Sequence, residues 1–299
     1  MLGSEGHAVD FTMMLNMSPK KHPADRLCEA IIQKTNPLCA GIDPVIERIP
    51  ECVQSDSPLQ SIDIFCRGVI DVVKDIVPAV KFQSACFERY GYQGMKVLGE
   101  LKNVASDSGL QVVLDYKRGD IGLTAEHYAV AAKADGHADW VTVSPYLGLD
   151  SIDPFVDAGL GVFCLVRTSN PSGTAIQTQV LQNGQTVASS IATMLADAGQ
   201  SSIGESGWSS IGAVVGATNP EDAVALREDM PNQIFLMPGV GAQGGTVESL
   251  TPCLREALGV LVPVSRSVLY PEQGAGDWQT DIQHAALAFA SSFNDGAHA

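Results

Sequence analysis

LQVVLDYKRGDIGLTAEHYA, residues 110–129, holds both halves of the pattern from which the fold is read. It begins with a short apolar run, the composition of a parallel strand buried on both faces. That run stops at a charged cluster, Asp115, Lys117, Arg118 and Asp120, and a segment of helical length follows. Similar runs are LCAGID (38–43), VPAVKFQ (77–83), DWVTVS (139–144), GVFCLVR (161–167), SIGAVVG (210–216), QIFLMPG (233–239) and GVLVPVSR (259–266). Between them lie helix-spaced segments such as SIDIFCRGVIDVVKDI, YQGMKVLGELKNVASDSG and NPEDAVALREDM. The last is expected to open with Asn219 as N-cap and Pro220 at the first helical position.

Eight strand-then-helix units predict an α/β protein of the (β/α)8, or TIM-barrel, type. An open doubly wound sheet is the competing arrangement. The count favours the barrel, and so do Asp43, Lys81, Asp115, Lys117, Arg167 and Arg266, which all fall at strand ends. In a barrel those ends form the active-site face. A single catalytic domain is expected over residues 23–299, preceded by a flexible N-terminal extension, residues 1–22. Residues 171–209 form one unusually long connection, read as a Gln/Ser/Gly-rich loop followed by a helix at SSIATMLADAG rather than a separate domain.

Composition narrows the partners. The net charge of -16 argues against nonspecific binding to nucleic acid or to an anionic membrane. It leaves open a phosphorylated small molecule, which a few convergent cations and backbone N–H groups can hold. The seven cysteines are scattered with no C-x-x-C, so a reduced, cytoplasmic protein without structural disulfides is expected. The six histidines show no metal-ligand spacing, so no metal site is expected. The N-terminal stretch lacks the pattern of a signal peptide, and no run approaches the roughly 18 apolar residues of a membrane helix.

On a strand, Asp115 and Lys117 share one face because they are two residues apart. A salt-bridged barrel mouth, or helix capping by Asp120, would account for such charges without any catalysis. The chemical alternative is specific. Flanking carboxylates favour the charged form of a lysine, which could then deliver a proton to a developing carbanion. A fixed carboxylate nearby would disfavour a substrate carboxylate more than the transition state that is losing it.

The pattern D-x-K-x-x-D-I-x-x-T after the third strand resembles the signature of orotidine 5′-monophosphate decarboxylases. The variant D-Y-K-R-G-D-I-G-x-T-A resembles the longer-chain bacterial branch, and the likeness runs from about Leu38 to Tyr270. It implies a homodimer that decarboxylates orotidine 5′-monophosphate to UMP and CO2, with no metal and no organic cofactor. Lys81, Asp115, Lys117 and Asp120 are the implied catalytic tetrad, with Lys117 donating a proton to C6. Asp43 and Lys81 would contact ribose hydroxyls, and Ser169, in L-V-R-T-S-N-P-S-G, would hydrogen-bond the pyrimidine. Asp120 and Thr124 would enter the neighbouring subunit's site. Pro238 and Gln243, in P-G-V-G-A-Q-G-G, and Arg266 after the eighth strand are the remaining substrate-binding residues implied, with Gln243, Arg266 and glycine amides on the phosphate.

Three other readings stand beside this one. Gly239, Gly241 and Gly244 satisfy G-x-G-x-x-G, but the next strand ends V-P-V-S-R-S without the carboxylate that a dinucleotide site wants. Related barrels that act on sugar phosphates share D-x-K-x-x-D, use Mg²⁺ and carry a glutamate where this chain has Lys81. A silent nucleotide-binding barrel would lack a member of the charged tetrad, and none is missing here.

Overall fold

Eight parallel strands close into a barrel in the order in which they occur along the chain. They are β1 (Leu38–Ile42), β2 (Ala79–Gln83), β3 (Gln111–Arg118), β4 (Trp140–Val143), β5 (Gly161–Arg167), β6 (Ser209–Val215), β7 (Gln233–Leu236) and β8 (Val260–Val264). The pairing of Leu38 with Val262 joins the last strand to the first, which rules out the open doubly wound sheet. This computed structural model describes residues 21–134, 136–241, 244–272 and 277–296. Every residue of β1, β4, β6, β7 and β8 is buried, as expected of strands covered on both faces.

The helices are α1 (Pro23–Lys34), α2 (Pro58–Val73), α3 (Ala85–Glu88), α4 (Gly91–Asp107), α5 (Gly122–Ala134) and α6 (Asp153–Asp157). They continue with α7 (Thr174–Gln177), α8 (Val187–Gly199), α9 (Pro220–Asp229), α10 (Arg266–Leu269) and α11 (Trp278–Gly296). The seventh unit departs from the expected rhythm, because β7 is followed by a 3₁₀ segment, Glu248–Cys253, that contains Pro252. A proline inside the segment has no N–H to give and crowds the preceding turn, which disfavours an α-helix.

Helix α1 precedes the first strand and closes one end of the barrel. Ala24, Leu27, Cys28 and Ile31 pack with inward residues of several strands, among them Val113, Trp140 and Phe163. Trp140 stacks on Phe163 at 4.5 Å between ring centroids. A Cβ on Gly161 would come within 2.4 Å of the Trp140 ring, so the neighbouring strand carries glycine there. Arg26 Nη1 lies 2.5 Å from Asp139 Oδ1, just before β4, and Asp25 accepts from the N–H groups of Glu205 and Ser206 ahead of β6. These anchors fix α1 at the strands' N-terminal ends. The C-terminal ends are left for chemistry.

The long connection after β5 folds onto the barrel. Its helix α8 begins two residues earlier than expected, where Thr186 Oγ1 accepts from Ser189 N at 3.0 Å. Asn219 does stand at the N-cap of α9, with Pro220 next, but its side chain makes no capping bond. It donates instead to Thr218 Oγ1 at 3.2 Å.

Candidate active site

The charged groups at the ends of the first three strands form one chain of contacts. Lys81 Nζ lies 3.3 Å from Asp43 Oδ1 and 3.2 Å from Asp115 Oδ2, and Lys117 Nζ lies 2.5 Å from Asp115 Oδ1. Lys81 and Asp115 are buried, and each has an oppositely charged partner, as buried ions require. Burial works against the Lys81 ammonium, but the Asp43 and Asp115 carboxylates outweigh it and push its pKa up. Burial would likewise raise the Asp115 pKa. Lys81 and Lys117 override it, and hydrogen bonds from Lys117 and Thr142 help hold the carboxyl down at about 2. Asp115 is therefore a fixed anion at neutral pH, held between two ammonium groups.

The backbone at Lys117 is unusual. Its φ is 46°, in the left-handed region, and the pairing of β3 with β4 shifts register between Leu114 and Arg118. Such a conformation costs a non-glycine residue roughly 1–2 kcal/mol, so something has to hold it. Thr142 on β4 does so: its Oγ1 accepts from Tyr116 N at 3.1 Å and Lys117 N at 3.0 Å, and donates to Asp115 Oδ1 at 2.9 Å. One buried hydroxyl thus sets both the turn and the carboxylate.

Replacing Thr142 by Val removes that acceptor and leaves N–H groups unpaired. We expect Thr142→Val to cost about 1–3 kcal/mol in denaturant melts and to lower kcat by roughly 10- to 100-fold through misplacement of Lys117. Thr142→Ser keeps the hydroxyl and should restore most of both. Equal kcat in the Val and wild-type proteins would show that the hydroxyl does not position the lysine.

A cavity of about 660 Å³ opens at the C-terminal ends of the strands. Asp43, Lys81, Asp115 and Lys117 line it together with Ser169, Pro238 and Arg266. Ser169 follows β5, Pro238 follows β7, and Arg266 follows β8 at the first turn of α10. Among the described residues Arg266 has no carboxylate partner, so its guanidinium is available to an anion. Gln243 lies outside the described residues.

The glycine turn after β7 departs from expectation. Gly239, Gly241 and Gly244 have φ of 115°, 76° and 90°, which explains glycine at those positions. Yet the N–H groups of Gly241, Gly244 and Gly245 all donate to carbonyls within the turn, so they are not the free amides a phosphate would need. The main contribution of these glycines is the shape of the turn.

Asp120 and Thr124 do not line the cavity. Asp120 Oδ1 accepts from the adjacent Ile121 N at 2.9 Å, and Thr124 is exposed on the first turn of α5. Around them Ile121, Leu123, Tyr146 and Leu147 stand exposed. Arg167 ends β5 as expected, but it is buried, pairs with Asp222 at 2.7 Å and does not line the cavity.

Some wall residues escaped the sequence reading. Thr142 sits in an all-buried strand, WVTV, where threonine is an unremarkable strand former, so only contacts distinguish it. Arg48 and Tyr270, from the loops after β1 and β8, also line the cavity, with the guanidinium 4.4 Å from the ring centroid. Gln177 lines it from α7, inside a stretch whose composition suggested only loop.

A sequence profile described as Orotidine 5′-phosphate decarboxylase / HUMPS family matches residues 36–270. An orotidine 5′-phosphate decarboxylase from Rhodopirellula baltica is 36% identical over 291 residues, covering 88% of this chain and 96% of that one. A crystal structure from Streptomyces avermitilis superimposes with a TM-score of 0.82 at 35% identity, covering 95% of this chain and 100% of that one. The structure of Leishmania donovani OMP decarboxylase gives a TM-score of 0.77 at 28% identity, covering 93% and 99% of the two chains.

Proposed function

The chain belongs to the orotidine 5′-phosphate decarboxylase / HUMPS family, and from that premise we propose how it converts orotidine 5′-monophosphate to UMP and CO2 in pyrimidine biosynthesis. The observation that carries this reading is the contact chain Asp43–Lys81–Asp115–Lys117, set in the same cavity as Arg266, which has no carboxylate partner among the described residues. A dianionic phosphate meets Arg266 at the β7–β8 side, with Gln243 and Pro238 contributing there. The ribose hydroxyls meet Asp43 and Lys81, and the base meets Ser169. This lays the C6 carboxylate of the substrate beside Asp115 and Lys117.

There the ionised Asp115 repels the substrate carboxylate but not the CO2 that leaves. The C6–carboxylate bond breaks, its electron pair stays on C6, and Lys117 supplies the proton that completes UMP. The charges are in place before the reaction begins, so little reorganisation is needed as the carbanion develops. Phosphate binding remote from C6 helps fix the reacting geometry. No step is assigned to a metal or an organic cofactor. Lys81 also stands between the two carboxylates that a divalent cation would otherwise bridge.

We also propose a two-fold dimer in which Asp120 and Thr124 complete the partner's site. Thr124 is exposed and Asp120 half-buried, both lie off their own subunit's cavity wall, and Ile121 and Leu123 stand exposed beside them, all of which supports it. A biosynthetic role of this kind supports a cytoplasmic location. Among the described residues no helix is long and apolar enough to cross a membrane.

EDTA-treated protein should discharge the ultraviolet absorbance of orotidine 5′-monophosphate and yield UMP. An unchanged spectrum with folded protein would overturn the assignment, and Mg²⁺-dependent turnover of a sugar phosphate would put the rival barrel chemistry in its place.

A further inference from the structure

The connection after β5 returns a side chain to the cavity. Thr168, Ser169 and Asn170 leave the strand, and α7 brings Gln177 back to the wall that holds Ser169. The Gln177 carboxamide is oriented by groups that can only donate. Its Oε1 accepts from Thr168 N at 3.0 Å and faces Arg167 Nη1 at 3.4 Å. A main-chain N–H and a guanidinium have no acceptor, so the oxygen has to lie on that side. Arg167 is itself held in place, bonded to Asp222 Oδ2 at 2.7 Å and facing Thr174 Oγ1 at 3.3 Å.

The nitrogen side follows. Gln177 Nε2 donates to Thr168 Oγ1 at 2.8 Å, and that hydroxyl passes its own proton to Asn170 Oδ1 at 2.7 Å. One N–H of the carboxamide is thereby used. The second has no acceptor among the described residues, on a side chain that lines the cavity. Packing also reserves this place. A Cβ on Gly173 would come within 2.9 Å of Thr168 Oγ1 and 3.0 Å of Gln177 Oε1.

We propose that Gln177 is a substrate-binding residue whose remaining N–H donates to a carbonyl oxygen of the pyrimidine, beside Ser169. The inference rests on the decarboxylase reading above and deepens it, because a pyrimidinedione presents two carbonyl oxygens that such a donor can meet. Arg167 and Thr168 are positioning residues. They hold the carboxamide so that the donor and not the acceptor faces the base. A wrong base then leaves this donor unpaired, which is how a polar wall discriminates.

The test compares two ligands, UMP and ribose 5-phosphate, the second of which lacks the base. Gln177→Met removes the hydrogen bonds at similar size. Gln177→Glu keeps an oxygen for Thr168 N and Arg167 but turns an acceptor toward the base. The ratio of UMP to ribose 5-phosphate affinity, measured by calorimetry, is expected to fall by about tenfold in Gln177→Met and by about 100-fold in Gln177→Glu, where oxygen faces oxygen. An unchanged ratio in both variants would overturn the proposal, and so would equal losses for the two ligands, which would mean a distorted wall. Wild-type protein that prefers UMP no more than ribose 5-phosphate would instead count against the decarboxylase reading itself.

Discussion

Lys117→Ala is expected to lower kcat/KM for orotidine 5′-monophosphate by roughly 10³-fold or more, since it removes both a proton donor and a fixed positive charge at the developing carbanion. Stability should change little. The Lys117 side chain is 44% exposed into the cavity, and exposed ion pairs contribute only about 0–1 kcal/mol. Asp115 would still have Lys81 at 3.2 Å and the Thr142 hydroxyl at 2.9 Å, so the carboxylate is not stranded. This separation makes the variant informative, because lost activity cannot then be put down to lost fold. Lys117→Arg retains a cation but should not recover the rate, since a guanidinium is bulkier and holds its protons too tightly to act as an acid. Kinetics on the two variants, alongside thermal melts, give the answer. Near-wild-type turnover by a folded Lys117→Ala protein would remove lysine from the chemistry.

The strand–helix rhythm and the strand-end charges were legible because both follow from local rules. Buried parallel strands are apolar along their length, and barrel strands carry function where they end. The spacing of Asp115 and Lys117 placed both in the cavity, although the backbone between them is not the regular strand that the spacing assumes. The contacts of Lys81 with Asp43 and Asp115 depend on register between three strands, which a strand's own pattern does not carry. Thr142 and Gln177 were invisible for a related reason. Each matters through bonds to other segments, Thr142 to the turn at Lys117 and Gln177 to Thr168 and Arg167. The glycine turn after β7 misled in the opposite direction. The resemblance implied amides free for a phosphate, but the N–H groups of Gly241, Gly244 and Gly245 close the turn itself.

Mixing two inactive variants should restore activity if the site is shared between subunits. Asp120 and Thr124 lie off the cavity wall, while Leu123 is 67% exposed and Tyr146 is 88% exposed beside them. The bond from Ser144 N to Arg118 O at 2.7 Å brings the segment bearing Tyr146 alongside the Asp120 turn. Contiguous exposed apolar patches mark interaction sites, and the dimer proposed above would cover these side chains. A two-fold axis through this region would carry Asp120 of each subunit toward the other's cavity. Suppose Asp120→Asn and Lys117→Ala proteins are each nearly inactive, then are dissociated and reassembled together. In a hybrid dimer, one site has lost both groups and the other has both intact. Random reassembly makes half the dimers hybrid, so the mixture should recover about one quarter of wild-type activity under this symmetry. If Asp120 served its own subunit's cavity, every site in every hybrid would lack one group and mixing would restore nothing. That result would return Asp120 to a role confined to its own chain, bonding Ile121 N at the start of α5.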